Sequence, residues 1–372
     1  MDNPFLTSGY VSPDLFCDRV EETRRLVSLL TNGNNVALIS PRRMGKTGLL
    51  YHCFEQPEIK DGYHPFLVDI YAARNLKEMV YAMGREILSV LKPKGKKAFD
   101  VFINIVTSLR GGISYDASGF PSWNVEVGDI KSPEFTLDEI FAYLESAEKP
   151  CVVVIDEFQS ITRFPESNIE AILRTYIQRC KNVRFVFSGS QRSMMNEIFN
   201  SPSRPFYQSV SFMQLKSIDL ASYSEFIHGH FNSRGKKIEQ DVIDVVYQQF
   251  DGVTWYVQKL MNELFANTNE GENCRTEMLQ PIIKHIIDDH DEGYKELLYR
   301  ISAKPKELLF AIAKEGKSTQ ITGSGFVKGH KLASASSVQK AAKWLIEQQI
   351  ITQEMGVYEV YDKFFGLWLK NW

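Results

Sequence analysis

Residues 36–51 read VALISPRRMGKTGLLY. A short apolar run, Val36 to Ile39, enters a turn carrying Gly45, Lys46 and Thr47, and a helix-forming stretch follows. This is most of the phosphate-loop pattern G-x-x-x-x-G-K-[ST], with Ser40 standing where the first glycine is usual. Such a loop works because backbone N–H groups surround phosphates at a helix N-terminus, where the peptide dipoles also favour negative charge. Gly45 lets the main chain approach without a Cβ in the way. Lys46 is placed to reach the β- and γ-phosphates, and the Thr47 hydroxyl to bind Mg²⁺. Ser40 and Pro41 at the strand exit, then Arg42, Arg43 and Met44, then Gly45 to Gly48, are the candidate nucleotide contacts. Ser40 is acceptable there with a negative φ. The competing reading is a chance Gly-Lys-Thr in a surface turn.

Further along, residues 151–159 read CVVVIDEFQ. Val152 to Ile155 form a buried strand that ends on two acids. A carboxylate at that position holds the Mg²⁺ shell in sites of this kind, which assigns Asp156, with Thr47, to the metal. Glu157 is then placed to orient or deprotonate an attacking water. Two solvated acids at a strand end is the plainer reading of the pair alone, and the upstream loop argues against it. A third strand closes on VFSGSQRS, residues 186–193, where Ser188 and Ser190 are either γ-phosphate sensors or an ordinary serine-rich turn. The candidate catalytic set is Lys46, Asp156, Glu157 and Ser190.

Around these motifs, strands alternate with helices, which predicts a parallel sheet covered on both faces over residues 1–213. Residues 112–128 interrupt it with period-two alternation about a Ser-Gly turn, read as an inserted hairpin. Phe120 and Trp123 there suit either a partner contact or cross-strand pairing. From 214 to 300 the pattern is helical only. From 301 to 372 it runs helix, helix, hairpin, the order of a winged helix. The chain of 372 residues is long enough for two or three domains. A net charge of −3 gives no electrostatic reason for nucleic acid or an anionic membrane as the main partner. Five scattered cysteines without a C-x-x-C pair fit a reducing cytoplasm. No signal peptide is expected, nor a run of about 18 apolar residues to span a bilayer.

FCDRVEE (16–22), SPRRMGKTGLL (40–50), VVVIDEFQ (152–159), FSGSQ (187–191), FDGVTWYVQKL (250–260) and VYEVYDKFFGLWL (357–369) together resemble the archaeal-type P-loop ATPases of the STAND class, signal transduction ATPases with numerous domains. The resemblance covers nearly the whole chain. It implies an α/β P-loop core with a helical lid and a C-terminal winged helix. It also implies ATP with Mg²⁺, slow hydrolysis of the β–γ phosphoanhydride, and a switch between ADP-bound and ATP-bound shapes. The stretch around Tyr10, Phe16 and Arg19 would lie near the adenine, although Phe16 reads equally well as a core aromatic. The chain departs from the family pattern at Ser40, at Thr254 in place of a lid proline, and at Gln208-Ser209 in place of a Gly-Arg pair. Arg192 and Arg204 are candidate substitutes for that arginine, as well as plain surface residues. Arg42 and Arg43 suit a phosphate or domain-interface contact, or a solvated face.

In the last domain, ten lysines from Lys304 onward stand against six acids. Helix Ser336 to Gln349 carries Gln339, Lys340 and Lys343 on one side and Val338, Ala342 and Leu345 on the other. Either a recognition helix or an ordinary amphipathic helix looks like this. Three functions compete: a nucleotide switch acting on an unidentified protein partner, an ATP-regulated DNA-binding protein, and a motor or phosphotransferase. The first accounts for most of the motifs; no second substrate site supports the third.

Overall fold

The computed structural model describes residues 3–91, 107–108, 113–115, 121–123 and 126–371. The basic stretch at 92–100, the Ser-Gly turn of the inserted hairpin and Phe120 lie outside the described residues, as does the side chain of Trp123. The chain divides into two compact units, residues 2–226 with 252–258, and residues 227–251 with 259–372.

The first unit is built on a five-stranded sheet. Its strands are β1 (Val36–Ile39), β2 (His64–Asp69), β5 (Cys151–Asp156), β6 (Val183–Gly189) and β7 (Ser211–Gln214). They run in the order β2-β5-β6-β1-β7, and every neighbouring pair is parallel. Parallel strands need crossover helices, so both faces are covered and the strands read as continuous apolar runs. β5 is buried along its whole length. Cys151, Val153 and Ile155 enter one core with Phe66, Phe185 and Phe187, while Val152 and Val154 enter the other with Val36, Leu38 and Val186. The hairpin expected within 112–128 is present as β3 (Ile113–Tyr115) paired antiparallel with β4 (Pro121–Trp123). Asn75 begins the helix Leu76–Val90 by accepting a hydrogen bond from the Glu78 N–H at 2.9 Å, which ties down one of the helix's orphan donors.

In the second unit the helical region also holds a two-residue parallel pair, β8 (Lys237–Ile238) with β9 (Asn273–Cys274), which periodicity cannot reveal at that length. The apolar pattern of residues 280–301 forms two helices, Leu279–Asp289 and Asp291–Arg300, parted at His290. At the C-terminal end, helix Ala303–Glu315 precedes β10 (Lys317–Ser318), helices Ser324–Gly329 and Ala335–Glu347, then β11 (Ile351–Glu354) and β12 (Val357–Val360). The antiparallel order β10-β12-β11 is a winged-helix sheet, with a third strand that the sequence did not reveal. Helix Ala335–Glu347 buries Val338, Ala341, Ala342 and Leu345 and leaves Gln339, Lys340 and Lys343 exposed. None of the described helices is long and apolar enough to cross a membrane.

Candidate functional site

Ligands of open α/β sheets sit beyond the carboxyl ends of the strands, and the candidate residues gather there. β1 leads through residues 40–45 into helix Lys46–Phe54. The loop reverses direction with Arg43 at φ 68° and Gly45 at φ 84°, and the second of these is the position where glycine avoids a Cβ penalty. The start of helix Thr254–Ala266 is fastened to this loop. The Trp255 N–H donates to the Arg43 carbonyl at 2.9 Å and the Thr254 hydroxyl to the Met44 carbonyl at 3.3 Å. The Arg43 guanidinium lies over the Trp255 ring at 4.5 Å, beside Tyr256, whose hydroxyl it also contacts.

Across β6 from β1, Asp156 ends β5 and Glu157 follows it in the turn. Lys46 Nζ lies 2.8 Å from Asp156 Oδ1 and 3.3 Å from Glu157 Oε1, with Lys46 and Asp156 each 8% exposed. Three residues from motifs more than a hundred positions apart therefore meet at one point. Glu157 takes a left-handed backbone, φ 55°, unusual for a side chain of this size. Its other oxygen, Oε2, accepts from Ser190 Oγ at 2.7 Å and from Gln159 Nε2 at 2.5 Å. The turn at Glu157 is held from the side by the end of β6.

A cavity of about 580 Å³ opens over this cluster. Its wall includes Pro41 to Gly48, Asp156 and Glu157 at one part, and residues 6–10, Leu15, Phe16, Ile218 and Gln258 elsewhere. That volume is in the usual range for a small-molecule site. Among the described residues no three His, Cys, Asp or Glu side chains are arranged to hold a metal by themselves. A Mg²⁺ ion does not need three, since it is commonly held by one or two carboxylates together with substrate phosphates. Lys46 for phosphate, and Thr47 and Asp156 as hard oxygen donors for Mg²⁺, are therefore a chemically fitting set.

The family model described as an ATPase domain predominantly from Archaea matches residues 16–260, and a probable winged helix domain matches 292–371. The chain belongs to this archaeal-type ATPase family. No functionally curated protein matches it. Among solved structures, a Walker-type ATPase of Pyrococcus abyssi is similar at TM-score 0.66 and 19% identity, with 99% of each chain covered. The ORC2 protein of Aeropyrum pernix, solved in ADPNP and ADP complexes, gives 0.54 at 14% identity over 99% of this chain and 96% of that one. The ORC1 protein of the same organism, solved in complex with DNA, gives 0.53 at 12% identity over 96% and 93%. At these identities the likeness speaks for the fold alone.

Within this archaeal-type ATPase, the sequence-predicted residues divide into several groups. Pro41 to Gly48, Asp156 and Glu157 line the cavity. Ser40 is wholly buried behind it, its hydroxyl donating to the Pro41 carbonyl at 3.0 Å, and Ser190 acts on Glu157 from outside the wall. The Ser188 hydroxyl is buried with no hydrogen-bond partner among the described residues. Phe16 and Arg19 both line the cavity but differ in kind. The Phe16 ring stacks on His52 at 4.5 Å and lies 3.2 Å from where a Cβ on Gly48 would stand. Arg19 is 2% exposed, and its guanidinium donates to the carbonyls of Lys216 at 2.6 Å and Met44 at 3.1 Å and to Glu22 at 2.7 Å. It braces the loop from below. Arg204 pairs with Glu170 at 2.8 Å, and Arg192 is exposed. Sequence reasoning missed Gln159, His52 and Trp255. The Trp-Tyr pair at 255–256, three residues after Gly252, was the one available hint, and its meaning depends on Arg43 being opposite.

Proposed function

We propose that the chain binds ATP with Mg²⁺, hydrolyses the β–γ phosphoanhydride slowly, and serves as a nucleotide-controlled switch of the STAND type that reports to a protein partner in the cytoplasm. The convergence of Lys46, Asp156 and Glu157 within 3.3 Å carries the reading. In it, residues 1–213 are the ATPase domain, 214–300 the lid and 301–372 the winged helix. Lys46 exchanges its carboxylate partners for the β- and γ-phosphates, and the amides of residues 42–47 donate to the phosphate oxygens. Thr47 and Asp156 hold the metal. When bound, Mg²⁺ neutralises charge that develops on the transferred phosphoryl group. Glu157, kept in place by Ser190 and Gln159, accepts the proton of the attacking water. Hydrolysis is slow in this reading because Gln208 and Ser209 replace the Gly-Arg pair, and Arg204 is engaged by Glu170. Arg42, a cavity-wall residue whose guanidinium lies 5.2 Å from the Tyr71 ring, is the candidate to assist.

Phosphate release by the native chain and by Glu157→Gln tests this. The variant is expected to lose about 10²–10⁴-fold in turnover, the range for removing a general base, while ATP affinity changes by less than about threefold. Equal turnover in the two proteins removes Glu157 from the mechanism.

The exposed Lys340 and Lys343 favour one second reading, ATP-regulated binding of duplex DNA through helix Ala335–Glu347. The ORC1 relative was solved on DNA, at an identity that transfers only the fold. No salt-dependent shift of a duplex at low ionic strength would exclude it.

A further inference from the structure

Arg42 belongs to the loop that leaves β1, and Tyr71 stands two residues beyond the end of β2. β6 and β5 lie between those two strands, a separation of about 14 Å at ~4.8 Å per strand. The Arg42 guanidinium nevertheless lies over the Tyr71 ring, 5.2 Å from its centroid. The contact therefore bridges the strand ends between them, beside the turn that carries Asp156 and Glu157. All four residues line the same cavity.

The backbone sets the ring in place. Asp69, the last residue of β2, accepts a hydrogen bond from the Tyr71 N–H at 2.8 Å, an Asx turn that fixes how the chain leaves the sheet. Asp69 is also the register partner of Asp156, so the ring's position is tied to the strand end that bears the candidate metal ligand. Tyr71 is 54% exposed and adds little to a core, but its open face suits a cation. Arginine is always charged and offers several donors in one plane, which matches phosphate oxygens. Lys46 already faces the carboxylates from the loop side. Arg42 brings a second cation to the same end of the cavity.

Resting on the nucleotide reading given above, we propose that Arg42 supplies in cis the cation that stabilises the transferred γ-phosphoryl group, and that Tyr71 is the positioning residue that holds its guanidinium across the β5 end. The water oxygen bonds to the γ-phosphorus as the bond to the β–γ bridging oxygen breaks, and Glu157 takes the water proton. ADP and phosphate leave, and Arg42 meets the charge on the equatorial oxygens. The chain then needs no arginine from a second protein. A cis arginine and slow turnover occur together in known nucleotide switches.

The test is phosphate release by the full chain at saturating ATP and Mg²⁺, with ATP affinity measured alongside by calorimetry. Arg42→Ala is expected to lose about 10³-fold in rate, the lower end for such an arginine, with ATP affinity within about threefold. Tyr71→Ala is expected to lose about fivefold, the worth of one exposed cation–π contact, and nothing further when added to Arg42→Ala. Tyr71→Phe keeps the ring face and is expected to hold the rate within about twofold. Native turnover per chain is expected to be independent of protein concentration. An unchanged rate in Arg42→Ala, or a loss that comes only through weaker ATP binding, overturns the proposal. So does a loss in Tyr71→Phe as large as that in Tyr71→Ala, an additive double variant, or turnover per chain that climbs with concentration. Native protein that binds ATP and releases no phosphate overturns it as well. Native protein that binds no ATP instead overturns the nucleotide reading of the cavity.

Discussion

Arg19 is nearly as buried as the strands of the sheet, and its guanidinium donates to two main-chain carbonyls, that of Lys216 and that of Met44, the second of which also accepts from the Thr254 hydroxyl. Because one of those carbonyls belongs to Met44, the arginine fixes the loop's height above the sheet. Arg19→Ala removes the charge-assisted bonds to the Lys216 and Met44 carbonyls, of which the second keeps the Thr254 hydroxyl as a donor. The expected loss is about 2–4 kcal/mol, read as a lower urea midpoint with unchanged slope. A shift below about 0.5 kcal/mol would mean that water takes the place of the guanidinium. The contact was not legible beforehand. FCDRVEE marks Arg19 as notable, but its partners at Met44 and Lys216 are far along the chain and are main-chain atoms, which no side-chain pattern encodes. Asp156 and Glu157 were legible, because an apolar strand ending in acids has few uses. The left-handed turn at Glu157 was not, since it is set by Ser190 and Gln159 holding the carboxylate.

At the scale of elements, the parallel sheet was readable because both of its faces are buried, which writes unbroken apolar runs such as Val152 to Ile155 into the chain. Elements of two residues, β8, β9 and β10, carry no period and stayed hidden. The helix beginning at Thr254 shows the middle case: its existence was plain, but its attachment to the phosphate loop was not. Thr254 stands where the family usually has proline, and it is the first residue of the helix. Proline is tolerated there, since its missing N–H is one of the unpaired donors of a helix start. Thr254→Pro deletes only the 3.3 Å bond from the hydroxyl to Met44. Stability is expected to change by less than about 1 kcal/mol by thermal melting, with ATP affinity within about threefold. A tenfold weaker affinity would show that the hydroxyl is what restrains the loop.

Over the whole molecule, two histidines bias stability with pH. Burial lowers the pKa of His52 below its ordinary 6.5 and, aided by Lys149, that of His64. Both prefer to stay neutral when folded, so the unfolded chain binds more protons between their folded values and 6.5. Their contribution is fully present above pH 6.5 and is lost as pH falls through the folded values. The urea midpoint is expected to drop from pH 7.5 to 5.5, less steeply in the double variant His52→Gln, His64→Gln. Identical slopes for the two proteins would assign the pH response to other groups. His52 also stacks on Phe16 in the cavity wall, so its protonation is expected to weaken nucleotide binding over the same interval. The account as a whole stands on the pocket where loop lysine and strand carboxylates meet. Its most direct measurement is mass spectrometry of nucleotide carried through purification by the native chain and by Lys46→Ala. The expected result is ADP or ATP on the native protein and a loss of at least about tenfold on the variant. Equal nucleotide content in the two would contradict the assignment of Lys46, and with it the site.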